Sequence, residues 1–114
     1  MAKYMLLIVG DNEPQDLSPA QMQSIYEEYS AWAGGMAAQG KLVSANQLSD
    51  AHKIVKGHGA EVAVTDGPYA ETKEIIGGYF LIEAASEDEA VSIATGCPGL
   101  KRGGKVAVHQ VIER

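Results

Sequence analysis

Cysteine is almost absent from this 114-residue chain: Cys97 stands alone, which excludes an internal disulfide. No apolar run approaches the roughly 20 residues that a membrane-crossing helix needs. Cations are also scarce. Nine Lys and Arg against fifteen Asp and Glu leave a formal charge of −6, and phosphate binding requires clustered cations, so nucleic acid is not the expected partner. The nearest approach to a basic cluster, Lys101-Arg102 with Lys105 in a glycine-rich stretch, reads as a solvated loop. The imidazoles His52, His58 and His109 match no zinc spacing. Neither Gly99 nor Gly103-Gly104 has the spacing of a phosphate loop. No metal and no cofactor are expected. The opening Met1-Ala2-Lys3-Tyr4 runs into a strand without a small-residue cleavage site. With the lone cysteine, this leads to an expected cytoplasmic location.

What is present suffices for one hydrophobic core, and the chain reads as a single domain over 1–114. Apolar residues make up 46% and charged residues 21%, an ordinary globular balance. Lys3 to Val9 contains Tyr4-Met5-Leu6-Leu7-Ile8-Val9, a strand pattern with both faces apolar. Asp11 to Leu17, with Pro14, is a polar loop. Ser18-Pro19-Ala20-Gln21 is a capping box with proline at the first helical position. Met22, Ile25, Tyr26, Tyr29, Trp32, Ala33 and Met36 then recur at helical spacing. Gly34-Gly35 marks a kink or a close approach at a cost of about 1 kcal/mol each, and Gly40 caps the helix.

Leu42 to Leu48 reads as a second strand. His52 to Lys56 and Glu61 to Thr65 flank Gly57-His58-Gly59 as a hairpin, with Val62 and Val64 on one side of its second arm. Asp66 to Ile76 reads as a loop. Gly77 to Ala84 is another strand apolar on both faces. Ser86-Glu87-Asp88-Glu89 opens a second helix with carboxylates in its first turn, and Pro98-Gly99 ends it. Lys105 to Ile112 is the last strand. The order β-α-β, hairpin, β-α-β predicts an α+β, ferredoxin-like fold with an extra hairpin. Two strands apolar on both faces predict that the open sheet face is covered too, most simply by a two-fold homodimer through the sheet faces.

The run Asp66-Gly67-Pro68-Tyr69-Ala70-Glu71-Thr72-Lys73-Glu74, followed by Gly77-Gly78-Tyr79, resembles the DGPF-domain branch of the YCII-related (YciI-like) proteins. Tyr69 stands where that signature usually has phenylalanine. The resemblance also takes in the opening strand, the Trp32 helix ending at Gly40, the hairpin before Asp66, and Cys97-Pro98. It implies a dimeric α/β barrel built from ferredoxin-like protomers. It also brings two functional settings: a histidine–aspartate pair for proton chemistry in the wider group, and association with extracytoplasmic-function sigma factors in this branch. Counting back from Gly40, the helix histidine falls near Tyr29, and this helix has no histidine.

The candidate residues each carry an alternative. Asp66 is either a general base or a turn cap that accepts backbone N–H groups while Gly67 supplies an unusual φ. His109, on the strand that borders a dimer cavity, could take over proton transfer, or be an ordinary surface histidine. Tyr29, Gly67, Pro68, Tyr69, Glu71, Lys73 and Tyr79 are the expected ligand contacts. Against that, Glu71, Lys73 and Glu74 equally suit a solvated loop, and the tyrosines equally suit a core. Cys97 reads as packing. Two functions stay open: small-molecule binding, with cofactor-free proton transfer or elimination on an organic substrate, and a non-enzymatic regulatory or ligand-sensing module.

Overall fold

The computed structural model describes every residue except Pro14, so the proline of the expected polar loop lies outside the described residues. In chain order the elements are β1 (Ala2–Asp11), α1 (Pro19–Ala38), β2 (Leu42–Gln47), β3 (His52–Lys56), β4 (Ala63–Gly67), β5 (Glu74–Ala84), α2 (Glu87–Ala94) and β6 (Lys105–Gln110). Two 3₁₀ turns, Gly59–Glu61 and Pro98–Arg102, interrupt the connections. The main sheet has the order β2-β5-β1-β6 with every neighbouring pair antiparallel, and β3 and β4 pair separately. This α+β arrangement is consistent with the expected ferredoxin-like pattern.

Strand periodicity sends alternate residues to opposite faces. On one face Tyr4, Leu6, Phe80, Ile82 and Ala84 pack beneath Met36 of α1 and Ala90 and Ala94 of α2. Leu6 and Ile82 are fully buried at its centre. The register Leu6↔Phe80 and Leu6↔Val108 keeps those side chains in one layer. The other face carries Met5, Leu7, Tyr79, Leu81 and Ala107, half-buried by one another, and none of them belongs to the helix-covered core. Apolarity on both faces is therefore real, but within one chain only one face is covered.

Helix ends follow the sequence closely. The Ser18 hydroxyl accepts from Gln21 N–H at 3.1 Å, and the Gln21 side chain returns the bond to Ser18 N–H at 2.8 Å. At the other end Gly40, with φ of 70°, donates to Ala37, and Lys41 donates to Met36, the paired bonds of a Schellman cap. Gly34-Gly35 produces no break: α1 runs through them, and a Cβ at either would meet nothing within 4 Å. In α2 the Ser86 hydroxyl caps Glu89 N–H, while the Glu89 carboxylate reaches past Ser86 to Ala85 N–H at 3.2 Å. Lys41 pairs with the same carboxylate at 3.1 Å, and together these two donors hold Glu89 below the usual carboxylate range.

Aromatic packing joins the helices to the sheet. The Trp32 ring centroid lies 4.5 Å from that of Phe80, and its indole N–H donates to the Ile93 carbonyl at 3.2 Å. Lys101 and Arg102 lie in an exposed turn, as expected, but are not unpaired: both reach Glu28 of α1 at 2.5 Å and lower its pKa through those two hydrogen bonds. That tie holds the Pro98–Arg102 turn on the helix.

The β3–β4 hairpin projects from this body. The radius of gyration, 16.1 Å, exceeds the roughly 13 Å of a compact domain of this length, and the extents are 47 × 44 × 18 Å. Val55 and Val64 face each other across the hairpin at 67% and 61% exposure. The second arm begins at Ala63, not Glu61, because the chain first makes the Gly59–Glu61 turn. That turn closes over Gly57, which has φ of 102° and where a Cβ would lie 2.3 Å from the Glu61 carbonyl oxygen. Val62 consequently precedes the strand.

Candidate functional site

The segment from Asp66 to Ile76 is not a continuous loop. Asp66 and Gly67 end β4, the Gly67–Pro68 peptide is cis, and Glu74–Ile76 begin β5. Asn12 secures the turn between them. Its amide N–H donates to Lys73 O at 2.9 Å, and its side chain donates to Thr72 O at 2.8 Å.

The turn-cap expectation for the Asp66–Gly67 pair does not describe the turn. Among the described residues, Asp66 accepts no backbone N–H; it pairs with Lys53, its cross-strand partner, and its side chain is 83% exposed. Gly67 is not among the glycines of positive φ. Glycine leaves room there for neighbouring side chains. A Cβ at Gly67 would stand 2.4 Å from His52 Nε2, 2.5 Å from its Cδ2 and 2.9 Å from Ile54 Cδ1. The imidazole of β3 occupies the space a side chain would take.

Beside this contact lies a cleft of about 530 Å³. One wall is Leu48, Ser49 and Ala51 of the β2–β3 connection, continued by His52 and Ile54; the other is Pro68, Thr72 and Glu74 to Ile76. A smaller hollow of about 230 Å³ borders His52, Lys53, Asp66 and Gly67. Glu74 is held by Lys105 at 2.5 Å. Ile76 pairs with Val9 and Tyr79 with Leu7, so the cleft adjoins the open face of the sheet.

Of the expected site residues, the structure brings Gly67, Pro68 and Tyr69 to the hairpin root, where the Tyr69 hydroxyl lies 3.5 Å from that of Thr65. Glu71 and Lys73 are exposed on the adjoining turn. Tyr79 lies on the open face, its hydroxyl accepting from Asn46 Nδ2 at 2.8 Å. His109 is on the same face but on β6, opposite Met5, at the sheet edge far from β2. Asp66 and His109 thus lie in separate sheets and are not brought together within one chain.

Tyr29 is on the helix-covered side. Its ring lies 6.4 Å from that of Phe80, and its hydroxyl lies 3.7 Å from Cys97 Sγ. Burial and that contact push its pKa up. The thiol is buried, as its packing role requires. His52 is the residue sequence reasoning passed over. Its test there was metal spacing, whereas the signal was a histidine directly across the hairpin from the glycine of Asp-Gly-Pro. Among the described residues no cluster of His, Cys, Asp or Glu suits a metal ion, and no helix is long and apolar enough to cross a membrane.

An α+β sheet covered on one side by two helices, with a cleft at the root of an inserted hairpin, defines the class. The family profile for the YCII-related domain matches residues 2–114, and the chain belongs to that family. A curated relative, an uncharacterized protein of Rhizobium meliloti (strain 1021), is 41% identical over 66 residues. The match covers 51% of this chain and 53% of the relative, so the chain spans about half the length of that protein.

Proposed function

We propose that this chain is a small-molecule-binding YCII-related domain of the DGPF branch, and that its ligand enters the cleft at the hairpin root. The cleft itself carries the reading. Its size falls within the range of about 300–1,000 Å³ typical of small-molecule sites, its walls are mainly apolar with a few polar groups, and Pro68 of the Asp-Gly-Pro-Tyr run lines it, while Asp66 and Gly67 line the adjoining smaller hollow. A sheet-face homodimer belongs to the same reading. It is supported by the uncovered apolar layer of Met5, Leu7, Tyr79, Leu81 and Ala107. In such a dimer His109 would face the partner sheet; cofactor-free proton transfer or elimination would need the assembly to bring His109 or Asp66 to the ligand, since neither lines the cleft within one chain. A cytoplasmic location accords with a lone, buried cysteine.

The test is a thermal-shift screen of small neutral alcohols, phenols and amides against the wild-type chain and Ile76→Trp, which fills the cleft. Compounds should stabilise the wild type and lose that effect in the variant. Equal stabilisation of both would overturn the placement.

A second reading is favoured by Val55 and Val64, an apolar pair left exposed on the projecting hairpin. It makes the hairpin the contact for a regulatory protein partner, an extracytoplasmic-function sigma factor being the one the resemblance implies. Val55→Lys should abolish such a complex while leaving cleft binding intact; a complex that survives the substitution would exclude the hairpin.

A further inference from the structure

Resting on the cleft reading, we propose that His52 selects the ligand there, and that the ligand is a neutral organic molecule with an apolar body and an O–H or N–H donor. The argument begins with the tautomer. His52 Nδ1 lies 2.9 Å from the Asp50 backbone carbonyl oxygen. A carbonyl can only accept, so Nδ1 carries a proton, and whenever the ring is neutral Nε2 is a bare acceptor. Among the described residues nothing donates to Nε2.

The ring is also held in place. Gly67 leaves no side chain to displace it, the Asp50 carbonyl fixes its other edge, and the imidazole borders both hollows.

The surroundings set the ligand's charge and shape. No Lys or Arg lines the larger cleft, and its one carboxylate, Glu74, is already paired with Lys105. An anion would meet no unpaired cation on the cleft wall, since Lys105 is engaged by Glu74, which disfavours it. Leu48, Ile54, Pro68, Ile75 and Ile76 supply apolar wall. A molecule that meets both requirements places its apolar body against those residues and donates to Nε2. The pairing discriminates because a donor that leaves water must find an acceptor.

Phenol, anisole and benzoate test this as a matched set on the 114-residue chain, followed by amide and imidazole nitrogen NMR. Without any probe, His52 should show a pyrrole-type Nδ1 and a pyridine-type Nε2; the reverse assignment would overturn the proposal. Phenol should shift the amides of Leu48–Ile54 and Thr72–Ile76 and the Nε2 resonance. Anisole should bind about tenfold more weakly, the equivalent of one hydrogen bond, and benzoate not measurably. His52→Phe keeps a ring and removes the acceptor, so phenol affinity should fall to that of anisole. Phenol and anisole binding equally in the cleft would refute the role of His52 and leave the cleft reading standing. Probes that shift no cleft amide would refute both.

Discussion

The glycine pair in α1 offers a quantitative test of what the helix touches. Gly34 and Gly35 are exposed, have negative φ, and present open space where a Cβ would go. Alanine at each should therefore gain helix propensity without a clash, about 1 kcal/mol per site. Both together should give about 2 kcal/mol. Unfolding entropy near the transition is roughly 2.1 cal/mol/K per residue, or about 240 cal/mol/K for 114 residues. The double variant should then melt about 8 °C higher, measured by calorimetry at one fixed protein concentration. A lower melting temperature would refute the reasoning. It would mean that another chain packs against this stretch so closely that only glycine is tolerated.

Three further outcomes follow from particular contacts. Gly99→Ala would place a Cβ 2.7 Å from the Tyr29 hydroxyl oxygen, and should lower the urea midpoint by an amount equivalent to about 1–3 kcal/mol. Adding Tyr29→Phe removes that oxygen and should restore part of the loss; no recovery would place the strain elsewhere. Asp66→Ala should cost only about 0–1 kcal/mol, the range for an exposed ion pair. A larger loss in thermal unfolding would show that the carboxylate caps backbone after all.

Acid should also destabilise the fold. Glu28 and Glu89 both sit below the ordinary value of 4.5, so the unfolded chain binds more protons than the native one in that window. Their contribution is present above about pH 4.5 and is lost as pH falls through the depressed native values. Glu28→Gln with Glu89→Gln should flatten the acid limb of a stability–pH profile, and an unchanged limb would refute the assignment.

The helices and central strands were legible in the sequence because their signals are local. Ser18 with Gln21, and Gly40 after the apolar stripe, each complete a hydrogen-bonded cap within a few residues. The short unbroken apolar runs of β1 and β5 likewise need no knowledge of the rest of the chain. The hairpin was less legible. Glu61 and Val62 look strand-like, but backbone bonds from Glu61 to His58 and from Val62 to Gly59 close a 3₁₀ turn before the strand. The site was least legible, because its geometry is non-local: Gly67 lies against His52, Asp66 is engaged by Lys53, and Lys101 and Arg102 are engaged by Glu28. Tyr29 follows the same rule, since only the packed structure puts it against Phe80 and Cys97 on the helix-covered side.

One measurement bears most directly on the account, because the open sheet face decides what the cleft adjoins. Light scattering over a concentration series of the wild-type chain should report a dimer at micromolar protein. Leu7→Glu, which puts a charge at the centre of that face, should report a folded monomer. A wild-type chain that is monomeric at micromolar protein, or a Leu7→Glu variant that remains dimeric, would contradict the sheet-face assembly.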